Sequence, residues 1–355
     1  MRVLFVLPAP VRVPMGGAAV VYRHAGGLAR RGHDVTVAAP KAGRGPRAWA
    51  WRGAVRARDA VHGVPARPAY GARGVATVEP SGWRDLRGMG LDHDAVIATG
   101  YQTTPWVLSL TTGEGPVGVS FLQGDERALH ARAGATWALP LVRIAVSEWL
   151  ADRVRGAGHD VAGVVPNAVD PEAFAVDRPV RGRPRHVVAL YHRHPVKGPD
   201  VLVETLRQLG RDRPDVGLTV FSARPPRHRL PAGVEVVVRP DARRLRALYN
   251  RASVCVHTSR LEGWGLAAME AAACGCAVVA TASLGPREYL EPGRSMVEVP
   301  VGDADAVARE ARRLLDDGAR RGALAEAAVA DVARFSWDDA TDTFEQLLLE
   351  RVTRR

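Results

Sequence analysis

Two glutamates eight residues apart, Glu262 and Glu270, have the side chains and spacing that suit a polar, anionic ligand. A carboxylate only accepts hydrogen bonds and can take both hydroxyls of a vicinal diol. Between them, Gly263 and Gly265 let the backbone approach a ligand closely. The start of a helix after these glycines would offer free N–H groups to a phosphate. A nucleoside diphosphate sugar has this layout, because a ribose diol, a diphosphate and a hexose follow one another.

Positioning these residues requires a strand, a loop, a helix and a second strand in succession. The β-branched run at 254–258 predicts the first strand, the residues 266–273 are good helix formers, and the apolar run at 277–280 predicts the second strand. Such a unit is one crossover of a parallel sheet. For two glutamates at this spacing taken alone, a solvated loop and a surface glutamate would be the commoner explanation.

The stretch EGWGLAAMEAAACGCAVV, which begins at Glu262, resembles the signature of family-4 retaining glycosyltransferases of the GT-B fold, also called glycosyltransferases group 1. The resemblance implies that Glu262 faces the donor hexose and that Glu270 binds the donor ribose. It also assigns to the donor the residues of the connecting loop: Gly263, Trp264, Gly265 and Leu266.

A second candidate turn precedes a helix predicted to begin near Pro199. Its Lys197 is one of only two lysines, with Lys41, in a chain whose other basic residues are arginines. A cation at this turn can stabilise a departing diphosphate. The resemblance places an arginine five residues before the lysine, where this chain has His192 with Arg193 beside it. Either of these two would then contact the diphosphate, and an ordinary surface turn is the alternative.

The N-terminal part begins with a strand at 2–7, a loop with Gly16 and Gly17, a helix at 18–31 and a strand at 34–39. This order is Rossmann-like, but the GxGxxG fingerprint of dinucleotide-binding proteins is absent, so NAD is not inferred. The resemblance extends to this unit and implies that Gly16 and Gly17 lie against the donor. A simple turn would otherwise be the favoured interpretation of the glycine pair.

Polar residues follow a strand predicted at 116–121, at the strand end where open α/β sheets bind ligands. We expect Asp125 or Glu126 to orient an acceptor hydroxyl, with Gln123 beside them. His130 is a further acceptor-side candidate, although a single histidine is more often structural.

The net charge of +11 suits an anionic ligand, nucleic acid or a membrane surface without choosing among them. Basic residues concentrate at 41–74, around Trp49 and Trp51, which suggests an anionic acceptor, a membrane surface or simply a solvated face. The sequence contains no run of about 18 apolar residues, so no membrane span is expected. The N-terminus is interpreted as a strand rather than a signal peptide, so we expect a cytoplasmic protein, with peripheral contact to the inner face of the membrane left open. The spacing of the three cysteines fits no zinc site, and buried thiols are expected.

Together these features predict an α/β protein of the GT-B fold, with two Rossmann-like domains whose parallel sheets face across a cleft. The predicted parts are an acceptor-side domain (1–170), a nucleotide-sugar domain (171–335) and a C-terminal helix that crosses back (336–355). The resemblance implies retaining transfer of a hexose from a UDP- or GDP-sugar to an acceptor hydroxyl of a small molecule, glycan or lipid. The predicted catalytic residues are Arg193, Lys197, Glu262 and Asp125.

No cofactor or metal is expected, because no acidic cluster is placed for Mg²⁺. Two other functions remain open. A nucleotide-sugar epimerase on the same fold would bind the same donor, and a basic nucleic-acid-binding protein would account for the charge but not for the two glutamates. The donor base, the sugar, the acceptor and the oligomeric state do not follow from the sequence.

Overall fold

The computed structural model describes residues 1–40, 71–80, 82–111 and 115–354. The chain divides into two compact units, one made of Met1–Asn167 with Trp337–Arg355 and the other of Ala168–Ser336. Most of the basic segment, with Trp49 and Trp51, lies outside the described residues.

The first unit is built on a seven-stranded parallel sheet in the order β3-β2-β1-β4-β5-β6-β7. Its strands are β1 (Arg2–Val6), β2 (Asp34–Ala38), β3 (Val75–Val78), β4 (Ala95–Ala98), β5 (Val117–Leu122), β6 (Val142–Ala145) and β7 (Gly163–Val164). Its helices are α1 (Gly16–Arg30), α2 (Trp83–Leu91), α3 (Thr104–Leu108), α4 (Glu148–Arg155) and α10 (Trp337–Thr353). Every residue of β4 and β5 is buried, as expected for central strands covered on both faces.

The C-terminal helix α10 packs against α1 within this unit. A Cβ added to Gly27 would lie 2.6 Å from Thr341 Oγ1, so the glycine allows the two helices to approach closely. At the end of α1, Arg31 pairs with Asp342, and His33 Nε2 lies 2.6 Å from Glu345 Oε1. Small-residue packing and ion pairs therefore hold the last helix on the first unit.

The second unit contains a six-stranded parallel sheet in the order β10-β9-β8-β11-β12-β13. Its strands are β8 (His186–Leu190), β9 (Gly217–Ser222), β10 (Val234–Val238), β11 (Val254–His257), β12 (Ala277–Thr281) and β13 (Met296–Val299). Its helices are α5 (Pro199–Asp212), α6 (Ala242–Arg251), α7 (Leu266–Ala273), α8 (Ala304–Asp316) and α9 (Gly318–Val332). The predicted strand–loop–helix–strand unit is confirmed as β11, α7 and β12.

Local sequence explains where several helices begin. Gly198 has φ 61° and precedes Pro199, the first residue of α5, and a Cβ on Gly198 would lie 2.0 Å from Thr258 O. Asp241 caps α6, because its Oδ1 accepts a 2.7 Å hydrogen bond from Arg244 N. Ser147 occupies the N-cap position of α4, but its buried Oγ has no hydrogen-bond partner among the described residues, so its side chain does not cap this helix.

The three cysteines are free and buried, as predicted. Cys276 Sγ donates to Tyr249 O at 3.1 Å, and burial raises the pKa of this thiol. Among the helices of the described residues, none combines the length and the apolar character that a membrane crossing needs.

Candidate functional site

Glu262 lies in the loop between β11 and α7, at the carboxyl-end edge of the second sheet. Its backbone N–H donates to Ser283 O at 2.9 Å, which joins this loop to the turn after β12. The residue is only 7% exposed. A carboxylate buried to this degree needs partners, since desolvation of an unpaired charge is costly.

Lys197 supplies the principal partner of Glu262. Its Nζ donates to Oε1 at 2.8 Å and to Oε2 at 2.7 Å. Ser259 Oγ donates to Oε1 at 2.7 Å, and His257 Nε2 lies 3.4 Å from the same oxygen. Burial by itself would raise the pKa of Glu262, but the Lys197 charge and the neighbouring donors outweigh it and hold the pKa well below its usual range. Glu262 is therefore ionised and held in place at neutral pH.

The loop turns into α7 at Gly265, whose φ of 93° lies in the left-handed region that favours glycine. No side chain caps the start of this helix. Tyr289 Oη donates to Gly265 O at 2.7 Å. Trp264 is buried, and its Nε1 lies 3.1 Å from Met269 Sδ, so the indole supports the loop from the core.

Glu270 lies on α7, one turn into the helix as the sequence predicts, and is half-buried. Tyr249 Oη donates to its Oε2 at 3.3 Å and to Ala267 O at 3.1 Å. Burial raises the pKa of Glu270 to about 7, and the Tyr249 hydrogen bond only partly opposes that shift. This carboxyl group therefore changes its charge near neutral pH. Within the described ranges it has no basic partner comparable to Lys197.

The two residues that compete for the predicted diphosphate contact differ in their surroundings. Arg193 Nε donates to Pro225 O at 2.9 Å, which ties the guanidinium to the loop after β9. His192 is exposed, and its Nδ1 accepts a 3.1 Å hydrogen bond from His194 N.

In the first unit, Asp125 is buried and fully engaged. Its Oδ1 accepts from Arg127 N at 3.1 Å and Nε at 2.8 Å, and its Oδ2 accepts from Arg127 Nη2 at 2.7 Å and Arg153 Nη1 at 3.3 Å. Burial would raise the pKa of Asp125, but the Arg127 hydrogen bonds lower it below its usual range. This carboxylate fastens the turn after β5.

The neighbouring Glu126 differs from Asp125 in its hydrogen-bond partner and in the direction of its pKa shift. It is half-buried, and its Oε2 accepts a 2.8 Å hydrogen bond from Tyr101 N. Burial, together with the charge of Asp125, raises the pKa of Glu126 to about 7. The ring of Tyr101 stacks on His130 with centroids 5.2 Å apart. The structure thus brings two of the predicted acceptor-side residues to one place, joined through Tyr101.

The predicted glycine pair, Gly16 and Gly17, and the predicted acceptor-side residue Gln123 also lie together in this unit. Gly16 begins α1, and a Cβ added to Gly17 would lie 3.2 Å from Gln123 Oε1. The glycine pair therefore lies at the helix start, with Gln123 packed against it.

Sequence reasoning missed the residues that hold the two glutamates, namely Ser259, His257 and Tyr249. Ser259 and His257 could have been found, because they end a predicted strand just before Glu262. Tyr249 lies on α6, and its contact with Glu270 depends on how α6 packs beside α7, which the sequence does not indicate. Over the described ranges, no three His, Cys, Asp or Glu side chains come together as a metal-binding group.

The family model for glycosyl transferases group 1 matches residues 185–317. This range contains Lys197, Glu262 and Glu270. The chain carries a group 1 glycosyltransferase domain. The predicted family resemblance is thereby confirmed.

Curated relatives support the same family. The chain is 34% identical to a D-inositol 3-phosphate glycosyltransferase of Xylanimonas cellulosilytica, over 57% of this chain and 54% of the relative. It is also 34% identical to the protein of the same name from Salinispora tropica, over 56% of this chain and 46% of the relative. The chain thus spans about half the length of the curated relatives that it matches.

Solved structures show the fold of this chain. Sucrose-phosphate synthase from Thermosynechococcus elongatus superposes with a TM-score of 0.79 at 17% identity, and each chain is covered over 100% of its length. The Anabaena protein HepE, solved in complex with UDP-glucose, gives a TM-score of 0.73 at 17% identity, again over 100% of each chain. The two Rossmann-like units are those of the GT-B fold, as predicted.

Proposed function

We propose that this glycosyltransferase moves a hexose from a UDP-sugar to an acceptor hydroxyl and retains the anomeric configuration. The bond between the anomeric carbon and the diphosphate oxygen breaks. A bond from the acceptor oxygen to that carbon forms on the same face, and the acceptor proton passes to the departing phosphate. The observation that carries the proposal is the paired Lys197 and Glu262 beside the uncapped start of α7.

The charges at this place suit a sugar diphosphate. Glu262 is ionised and can accept hydrogen bonds from hexose hydroxyls. Lys197 retains capacity for a phosphate oxygen, since its ammonium has three protons. The N-terminus of α7 adds N–H groups and a positive dipole end. These groups would stabilise the negative charge that develops on the leaving diphosphate.

Glu270 suits the ribose of the donor. It is a half-buried carboxylate on α7, and no basic residue in the described part of the chain pairs with it as Lys197 pairs with Glu262. Such a group can accept two hydrogen bonds from the ribose diol once it is ionised. UDP is the first nucleotide to test, because HepE, of similar fold, was solved with UDP-glucose.

The acceptor would bind at the edge of the first sheet that carries Gln123, Glu126 and His130. We assign to Glu126 the hydrogen bond from the attacking hydroxyl, because Asp125 is already occupied by Arg127 and Arg153. The first acceptor to test is D-inositol 3-phosphate, since relatives at 34% identity are named for it.

We further propose that transfer needs no metal, because Lys197 and the start of α7 would supply the positive charge. EDTA should then leave turnover unchanged, and a loss of activity that Mg²⁺ restores would reject this part. The epimerase and nucleic-acid alternatives are not favoured by the family match.

A thermal-shift panel of UDP, GDP, ADP and dTDP on the wild type and on Glu270→Ala tests the donor site. Selective stabilisation by UDP that is lost in the variant supports the proposal. UDP release from UDP-glucose in the presence of an acceptor then tests transfer. If no nucleotide raises the melting temperature, the donor site proposed here does not exist.

A further inference from the structure

The turn between β12 and the next short helix contains a strained residue, Leu284. Its φ of 74° and ψ of −56° are those of the central residue of a classic γ-turn. The hydrogen bond that defines this turn is present, since Gly285 N donates to Ser283 O at 3.0 Å. In the described part of the chain, only Arg239 shares a positive φ among residues other than glycine.

The surrounding structure fixes this conformation. On one side, Ser283 is fully buried and its carbonyl oxygen accepts the Glu262 N–H at 2.9 Å. On the other, a Cβ added to Gly285 would lie 2.6 Å from Trp264 O and 2.9 Å from Glu262 Cβ. The turn is therefore pressed against the Glu262 loop from both ends.

Leu284 itself is only half-buried, although Ser283, Gly285 and Pro286 around it are buried. A partly exposed leucine in a strained backbone conformation thus lies next to Glu262, whose backbone it pairs with and whose carboxylate is assigned to the hexose. Strain of this kind persists where the surroundings force it, and it concentrates at ligand-binding sites. Because Leu284 is only half-buried, packing in the hydrophobic core does not explain why a leucine occupies this position.

We propose that Leu284 selects the donor sugar, because its side chain narrows the space beside Glu262 and excludes sugars that a smaller residue would admit. This inference rests on the proposed function and adds a residue to it. An isolated parallel bridge pairs the backbone of Leu284 with that of Glu262 and so holds the two residues side by side. The nucleoside diphosphate contacts are assigned to other residues, Lys197, the first residues of α7 and Glu270, so the side chain of Leu284 should affect the sugar and not the nucleotide.

The test compares dissociation constants by calorimetry for UDP, UDP-glucose, UDP-galactose, UDP-N-acetylglucosamine and UDP-glucuronate. The proteins are the wild type, Leu284→Gly and Leu284→Ala. Glycine removes both the side chain and the strain, whereas alanine removes most of the side chain and keeps the strain. Arg239→Gly is the matched control, since it relieves a positive φ at the end of the edge strand β10.

We expect the dissociation constant for UDP of both Leu284 variants to lie within about twofold of the wild-type value. For at least one UDP-sugar, the affinity relative to UDP should increase about tenfold. Arg239→Gly should leave these ratios unchanged. Ratios that stay within about twofold of the wild type for every sugar would overturn the inference. A change in Leu284→Gly alone would also overturn it, because strain rather than the side chain would then set selectivity. Failure of the proposed function has a different result, in which the wild type binds neither UDP nor any conjugate.

Discussion

Lys197 holds Glu262 through both carboxylate oxygens, at 2.8 and 2.7 Å, across 65 residues of sequence. One partner is proposed to contact the diphosphate and the other the hexose. Their ion pair therefore joins the two halves of the donor site and also contributes to the stability of the second unit.

Lys197→Met should lower turnover by about 100-fold, the usual cost of removing one donor to developing charge. It should also destabilise the fold by about 2 kcal/mol, because Glu262 is left buried without its cation. This loss of stability is smaller than the loss for a fully buried ion pair, because the Lys197 side chain is 29% exposed. Steady-state kinetics and urea unfolding measure the two effects.

The double variant Lys197→Met with Glu262→Gln separates these effects. Removing both charges should recover most of the lost stability, while turnover stays low. Wild-type turnover in Lys197→Met would reject its role at the leaving group.

Affinity for the donor should depend on pH through Glu270. Its pKa is raised to about 7, so the folded protein binds a proton here more tightly than the unfolded chain. This group's contribution to stability is therefore greatest at acid pH and declines as pH rises from about 4.5 to 7. Binding of UDP-glucose should strengthen over the same rise toward neutral pH, since the ionised carboxylate accepts the ribose hydroxyls.

Calorimetry with UDP-glucose between pH 5.5 and 8 tests this dependence, because its diphosphate diester does not titrate there. Glu270→Gln is the matched control and should bind weakly at every pH. A wild-type affinity that is flat across the range would exclude Glu270 from the site.

Glu126→Gln should raise the KM for the acceptor by about tenfold and leave the affinity for UDP-glucose unchanged, because one charge-assisted hydrogen bond to the acceptor is weakened. The KM of the wild type for the acceptor should rise as pH falls below 7, because Glu126 then becomes protonated. Glu148→Gln, which alters an exposed glutamate of the same unit, is the control. Equal acceptor KM values in the wild type and Glu126→Gln would remove Glu126 from the acceptor site.

His24→Phe should stabilise the first unit. His24 is fully buried among Phe121, Trp337 and Phe344, and neither ring nitrogen has a hydrogen-bond partner in the described part of the chain. Replacing it with an apolar ring should gain about 1–3 kcal/mol. For a domain of this size the melting temperature should rise about 2–4 °C per kcal/mol.

The stability gained by His24→Phe over the wild type should be larger at acid pH. Burial lowers the pKa of His24 to about 3, so the unfolded chain binds the proton more tightly and wild-type stability falls as pH drops from about 6.5 to 3. His24→Phe removes this loss, whereas His24→Asn keeps a buried polar group and should destabilise the protein. Calorimetric melting at pH 5 and pH 8 distinguishes them, and a lower melting temperature for His24→Phe at both pH values would contradict the expectation.

The sequence alone determined the strand, loop, helix and strand on which the proposed donor residues lie. Glu262, Gly265 and Glu270 lie in one continuous stretch whose strand, loop and helix are set by local preferences, so the element that carries each of them could be predicted. The glycine at 198 and the proline at 199 likewise mark the start of α5 by their backbone restrictions.

Only the tertiary structure decided the partners of these residues. Lys197 reaches Glu262, and Tyr249 reaches Glu270, because parallel strands bring separate loops to one edge of a sheet. The sequence offered Asp125 or Glu126 to orient the acceptor and named Asp125 as catalytic. In the fold, hydrogen bonds from Arg127 outweigh burial and lower the pKa of Asp125, whereas burial raises the pKa of Glu126. The strain at Leu284 was equally hidden, since it arises from the packing of its turn on the Glu262 loop. Charge state and strain depend on contacts made across long sequence separations, and a linear pattern does not contain them.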